Sequence, residues 1–221
     1  MKIDQLKITH WEYIKMYKKL YTWDDDIFEH IRVRKNLRST ISKQFKLDLI
    51  NFMVEFDVNN NLYMEIGSYG GDTCRVMSHY FKKVIGIDQP GLVEQCNLKY
   101  KDIDNMSFIA VDLYHPNFDI ISETKVEQSV DFILIDAGHT HPQCLSDYKN
   151  ALKLNPKYIA FDDYGLYVKD VVDDLVKQNK LKIIKGVGDR DVLVAATNTS
   201  HENLKIEGTE GVICEVIYDC S

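Results

Sequence analysis

Five acidic residues close, or nearly close, short apolar runs: Glu65 in NLYMEI, Asp88 in KVIGID, Asp112 in SFIAVD, Asp136 in VDFILID and Asp162 in KYIAFDD. Carboxylates gathered at such positions hold cations, organic or metallic. Glu65 runs straight into a glycine-dense turn, Gly67-Ser68-Tyr69-Gly70-Gly71. Glycines there let backbone approach a ligand closely. The spacing from Gly67 to Gly71 departs from the G-x-G-x-x-G dinucleotide fingerprint. A pyrophosphate would avoid a carboxylate at its entrance, whereas a cationic ligand would not. A plainer reading stays open: the acids solvate strand ends, and the turn is tight without holding a ligand.

A second constellation lies in VDFILIDAGHTHPQ, where His139 follows Asp136 by three positions and His141 comes two later. The next apolar run ends in Asp162-Asp163-Tyr164. Neighbouring strands of a sheet lie about 4.8 Å apart, so carboxylates at two adjacent tips converge on one hard cation. Oxygen donors with open positions suit magnesium, manganese or calcium better than zinc. A histidine that titrates near neutrality can take the proton of a hydroxyl. The alternatives are a loop histidine bonded to backbone, an acidic pair that caps the following helix, and a structural His141.

These residues need a scaffold that brings strand ends to one edge. Residues 1–58 read as helical, with Leu47, Leu49, Ile50, Met53, Val54 and Phe56 forming a stripe in LDLINFMVEF. From residue 59 to 221 the texture changes to short apolar runs alternating with amphipathic stretches, such as 71–81, PQCLSDYKNALKLN and VKDVVDDLVKQN. Buried parallel strands and crossover helices give this pattern. The tail segments LKIIKGVG, DVLVAAT and GVICEVIY read as further strands, some antiparallel. The expected fold is α/β: a Rossmann-like, doubly wound, mostly parallel sheet over 59–221 with an N-terminal helical extension or lid over 1–58. In such a sheet the carboxyl ends of the strands face the ligand crevice.

With Glu65, Gly67 and Asp88 in these positions, the chain resembles the class I S-adenosylmethionine-dependent methyltransferases over about residues 60–197. The resemblance implies that Gly67, Ser68, Tyr69 and Gly71 admit the amino-acid half of the cofactor. Glu65 would hold the turn or reach the ammonium through water. Asp88 would accept the ribose hydroxyls, and Asp112 would lie near the adenine. The second constellation is similar to that of metal-dependent O-methyltransferases of the catechol and macrolide-sugar types. That likeness implies Asp136, Asp162 and Asp163 as ligands of Mg²⁺ or Mn²⁺, with Asp136 and His139 as catalytic residues and His139 as general base. Asp162-Asp163 stands where the catechol type has Asp-Asn, and that type's lysine near the base is missing. The implied reaction is O-methylation of a hydroxyl on a sugar or other small metabolite. Two rivals are an enzyme like the cephalosporin hydroxylases, which share such residues, and a non-catalytic cofactor-binding module.

The bulk composition is that of an ordinary globular protein of 221 residues carrying a net charge of −7. That charge disfavours a non-specific nucleic-acid binder, which needs clustered Lys and Arg. Cys74, Cys96, Cys144, Cys214 and Cys220 form no C-x-x-C pair and read as reduced thiols, pointing to a cytoplasmic protein. The N-terminal stretch has neither a secretory leader's apolar core nor the run of about 20 apolar residues of a membrane span. Trp11, Tyr13, Tyr21 and Trp23 read as a packing surface, a lid over the acceptor or a route to a homo-oligomer. Arg32, Arg34, Lys35 and Arg38 read as a solvated basic face or a contact for an anionic acceptor.

Overall fold

The computed structural model describes residues 41–165, 167–190, 193–194, 204–205 and 208–218. The expectations for Trp11 through Arg38, and for Cys220, lie outside the described residues.

Helix α1 (Lys43–Glu55) opens the described chain, capped by Ser42, whose side chain accepts from the Phe45 N–H. Strands β1 (Leu62–Ile66), β2 (Lys83–Asp88), β3 (Met106–Ala110), β4 (Phe132–Ile135) and β5 (Tyr158–Phe161) follow. They are separated by α2 (Asp72–Met77), α3 (Pro90–Lys99), α4 (Ile120–Thr124) and α5 (His141–Leu152). After α6 (Tyr167–Lys177) come β6 (Leu181–Arg190), the short pair β7 (Leu193–Val194) and β8 (Leu204–Lys205), and β9 (Thr209–Val216). The main sheet has the order β3-β2-β1-β4-β5-β9-β6. The first five strands run parallel, and β9 is antiparallel to both β5 and β6. The order reverses between β1 and β4, the topological switch point where such sheets open a crevice.

Alternation within the strands sorts the core onto two faces. Leu62, Met64, Ile66, Ile133 and Ile135 point to one side, against Ile120 of α4, Cys144, Tyr148 and Ala151 of α5, and Val168, Val171, Val172 and Leu175 of α6. Tyr63, Val84, Phe132, Leu134 and Tyr158 point to the other, against Phe45, Leu49, Phe52 and Met53 of α1, Cys74 and Val76 of α2, and Val93 and Cys96 of α3. The fold is therefore the doubly wound, mostly parallel α/β sheet expected, and α1 is the described part of its N-terminal helical extension. Cys74, Cys96, Cys144 and Cys214 are free and buried. Among the described residues no helix is long and apolar enough to cross a membrane.

Candidate active site at the carboxyl edge of the sheet

Register decides which residues meet. Ile66 pairs with Ile135, and Ile135 with Phe161, so these three strands end level with one another. The next residue of each strand continues the ladder for one step: the Asp136 N–H donates to the Ile66 carbonyl at 2.8 Å, and the Asp162 N–H to the Ile135 carbonyl at 3.1 Å. Gly67, Asp136 and Asp162 thus stand in a row across β1, β4 and β5. Gly67 has φ +90°, and a Cβ on it would lie 2.2 Å from the Asp136 carbonyl oxygen. Only glycine lets the turn rest so closely on the end of β4. Gly71 has φ +73°, and a Cβ there would meet the Phe108 and Tyr100 rings at 2.7 Å.

The turn is tied down from the next strand. The Gly67 and Ser68 N–H groups donate to the Ile87 carbonyl at 2.9 and 3.2 Å. Asp88 accepts the Tyr69 N–H on one carboxylate oxygen and the Gln89 N–H on the other, each at 2.7 Å. Tyr69 takes a positive φ of 41° to do this and leaves its side chain exposed. Asp112 stands two positions beyond β3, exposed, with its carboxylate accepting the Tyr114 N–H at 3.2 Å.

Glu65 is buried beneath the turn, where the Tyr63 hydroxyl and the Cys74 thiol donate to it at 3.2 and 3.1 Å. Burial pushes its carboxyl up to about 8, although both hydrogen bonds and the Lys46 charge pull the other way. A cavity of about 20 Å³ opens beside it, lined by Lys46, Glu65, Ser68, Asp72, Thr73 and Asp136 among others.

Asp136, His139 and Asp163 each bring one donor atom within 4.8 Å of the others. His139 Nδ1 lies 2.8 Å from the Asp163 carboxylate. That hydrogen bond raises the imidazole pKa above its ordinary 6.5 against the opposing effect of burial. Asp163 holds φ +54°, a conformation that aspartate tolerates better than most residues. Asp162 stands apart from the trio. It is buried against Asp136, with which it shares a hydrogen bond, and its Oδ1 has no partner. Burial, together with mutual repulsion, raises both carboxyls well above the usual range. His141 begins α5 and is exposed, away from this cluster. The carboxyl oxygens, the lone imidazole and the orphaned Asp162 oxygen fit a divalent cation.

Three residues of the site were not foreseen. Lys46 is 3% exposed. It sits at i, i+3, i+4, i+7 spacing with Leu49, Ile50 and Met53, so a charge on the apolar stripe was the signal. Asp147 is fully buried, and its carboxylate accepts the Tyr114 hydroxyl at 3.1 Å and the Gly138 N–H at 3.3 Å. It thereby steadies the loop that carries His139, and it shares the stripe of Cys144, Tyr148 and Ala151 by the same spacing. Glu210 of β9 is buried and accepts the Ser42 N–H at 2.7 Å and the Ser42 hydroxyl. Nothing in GTEGV marks it, because its place depends on β9 returning antiparallel to β5.

No family model and no curated protein matches the chain. Solved structures do match in fold. An O-methyltransferase from Bacillus cereus in complex with S-adenosylhomocysteine is 15% identical, with a TM-score of 0.59 over 96% of this chain and 100% of that one. An O-methyltransferase of tomaymycin synthesis from Streptomyces achromogenes is 13% identical, with a TM-score of 0.56 over 96% and 99%. A S-adenosylmethionine-dependent methyltransferase from Clostridium acetobutylicum is 11% identical, with a TM-score of 0.55 over 94% and 98%. The strand order, the antiparallel β9 and these likenesses agree: the chain has the fold of the class I S-adenosylmethionine-dependent methyltransferases.

Proposed function

We propose that the protein is a S-adenosylmethionine-dependent methyltransferase acting on a hydroxyl of a small metabolite, with a sugar as the favoured acceptor class and Mg²⁺ or Mn²⁺ as a helper. The observation that carries this reading is the gathering of Glu65, Asp136, Asp162, Asp163 and Glu210 around one edge of a methyltransferase-type sheet. So many buried and half-buried carboxyls favour ligands that bring positive charge. An ammonium, a sulfonium and a divalent ion are such ligands.

The cofactor would supply a methyl group on a sulfonium. Gly67, Ser68, Tyr69 and Gly71 admit its amino-acid half, and Glu65 faces the ammonium. Each Asp88 oxygen spends one acceptor site on a backbone N–H and keeps another for a ribose hydroxyl. Asp112, at the neighbouring strand end, stands toward the adenine. Asp136, Asp162 and Asp163 would hold the cation, whose chemistry is to acidify and position a hydroxyl. With Nδ1 committed to Asp163, His139 keeps Nε2 to receive the acceptor's proton. The new C–O bond forms as the C–S bond breaks, with its electron pair left on sulfur. Because the Asp163 hydrogen bond raises the His139 pKa, the imidazole becomes a free base at a higher pH than an ordinary histidine, and turnover should climb as pH rises through that raised value. The division into an extension over 1–58, acting as a lid, and a Rossmann-like domain over 59–221 belongs to this proposal, as do cytoplasmic location and self-association through the extension.

S-adenosylhomocysteine at saturation should raise the melting temperature by a few degrees. Asp88→Ala should abolish the rise, while Asp136→Ala should keep it and remove turnover. No shift in the wild type would defeat the cofactor assignment. Turnover indifferent to both magnesium and EDTA would remove the cation and leave the methyltransferase. A shift without turnover on any hydroxylated acceptor would favour a binding module.

A further inference from the structure

Lysine is almost never fully buried without a partner, yet Lys46 is 3% exposed and forms no ion pair or side-chain hydrogen bond with a described residue. Its nearest influences are the charges of Asp72, Glu65, Glu210 and Asp136, all felt beyond contact distance. It lines the cavity beside the glycine turn. Ser68 lines the same cavity, is 3% exposed, and has a buried hydroxyl with no partner. Two donors without a partner among the described residues therefore share a cavity that Glu65 also lines. Its enclosed part, about 20 Å³, has room for roughly one water, so only a small polar head reaches the floor.

We propose that Lys46 and Ser68 clasp the α-carboxylate of the cofactor's amino-acid half, opposite Glu65, which receives the α-ammonium. The site then reads a zwitterion: an anion on the α1 side of the cavity and a cation on the β1 side. Asp72 makes no ion pair with Lys46; its Oδ1 accepts from Lys99 and Tyr100 instead, at 2.7 and 2.6 Å. This assignment deepens the methyltransferase reading and rests on it.

The test is a thermodynamic cycle by calorimetric titration. Its ligands are S-adenosylhomocysteine and its decarboxylated analogue, which keeps the ammonium. Its proteins are the wild type and Lys46→Met. The wild type should prefer S-adenosylhomocysteine by about 10- to 100-fold, the scale of one charge-assisted hydrogen bond. Lys46→Met should bind the two ligands about equally, and Lys46→Arg should keep part of the preference. If the wild type binds both equally, the clasp is wrong whatever the variants do. If Lys46→Met keeps the wild-type preference, the carboxylate is held elsewhere, and the methyltransferase reading survives. If the wild type binds neither ligand, that reading itself falls. Should Lys46→Met fail to fold by circular dichroism, Lys46→Gln takes its place in the cycle.

Discussion

Glu65 offers a measurement that reports on the site without any acceptor. Burial lifts its carboxyl from 4.5 to about 8. A raised folded-state pKa gives a stability contribution that is complete below pH 4.5 and lost as pH rises through 8. Ionising the group in the folded protein costs about 5 kcal/mol over that span, of which about 3 kcal/mol has been lost by pH 7. At pH 7 the folded carboxyl is about nine-tenths protonated. A ligand ammonium that pairs with the carboxylate must expel that proton. Titrating S-adenosylhomocysteine in two buffers of very different ionisation enthalpy should therefore show about 0.9 proton released per site at pH 7, shrinking as the pH climbs past 8. Glu65→Gln should release none, bind about 10- to 100-fold more weakly, and stabilise the unliganded protein at pH 7 by up to ~3 kcal/mol. Heats of binding that do not depend on the buffer, or a Gln variant that releases as many protons, would refute the ammonium contact. A Gln variant less stable than wild type at pH 7 would refute the burial argument beneath it.

Other residues yield simpler tests. Asp147 is raised to about 6 by burial, although Gly138 and Tyr114 donate to it. Wild-type stability should thus fall between pH 4 and 7, and Asp147→Asn should recover up to ~3 kcal/mol at pH 8 and nothing near pH 4; equal effects at both pH values in urea melts would count against it. Gly67→Ala must find room for a Cβ 2.2 Å from the Asp136 carbonyl oxygen at φ +90°. It should cost roughly 2–5 kcal/mol and lower the melting temperature by about 10 °C. His139→Ala should abolish turnover while manganese still binds through the aspartates, as paramagnetic relaxation would show; loss of both would make His139 a ligand rather than the base. The ion pair of His139 with Asp163 should stabilise the fold below pH 6.5 and fade as pH rises through the raised folded pKa. Asp163→Asn should flatten that part of the profile.

The strands from β1 to β5 were legible because each is a short apolar run with a polar stop, and burial on both faces demands that pattern. Helix α3 (Pro90–Lys99) escaped notice, since QPGLVEQCNLK buries only Val93 and Cys96 and carries little periodicity. The stretch 71–81 yields a helix only over Asp72–Met77, and the described part of DVLVAAT is the short strand Leu193–Val194. Strand-end acids pointed to one rim because parallel strands must end on the same edge. Which acids meet was a different matter. Asp163, His139 and Asp136 each bring a donor atom within 4.8 Å of the others, while Asp162 is buried against Asp136 with one oxygen unpartnered, and spacing along the chain does not tell the two adjacent aspartates apart.

Local pattern determined the alternation of strands and helices, the glycine turn after Glu65 and the row of carboxylates, because each depends on residues close in the chain. Tertiary structure alone decided that Lys46 from α1 and Glu210 from β9 enter the same acidic crevice. It also decided that Gly67 lies against the end of β4 and that Asp147 is buried under the His139 loop. Those contacts join segments far apart in sequence, through an antiparallel return and two packed faces that no local spacing records. Burial among them, rather than residue type, raises the pKa of carboxyls that would otherwise be ordinary.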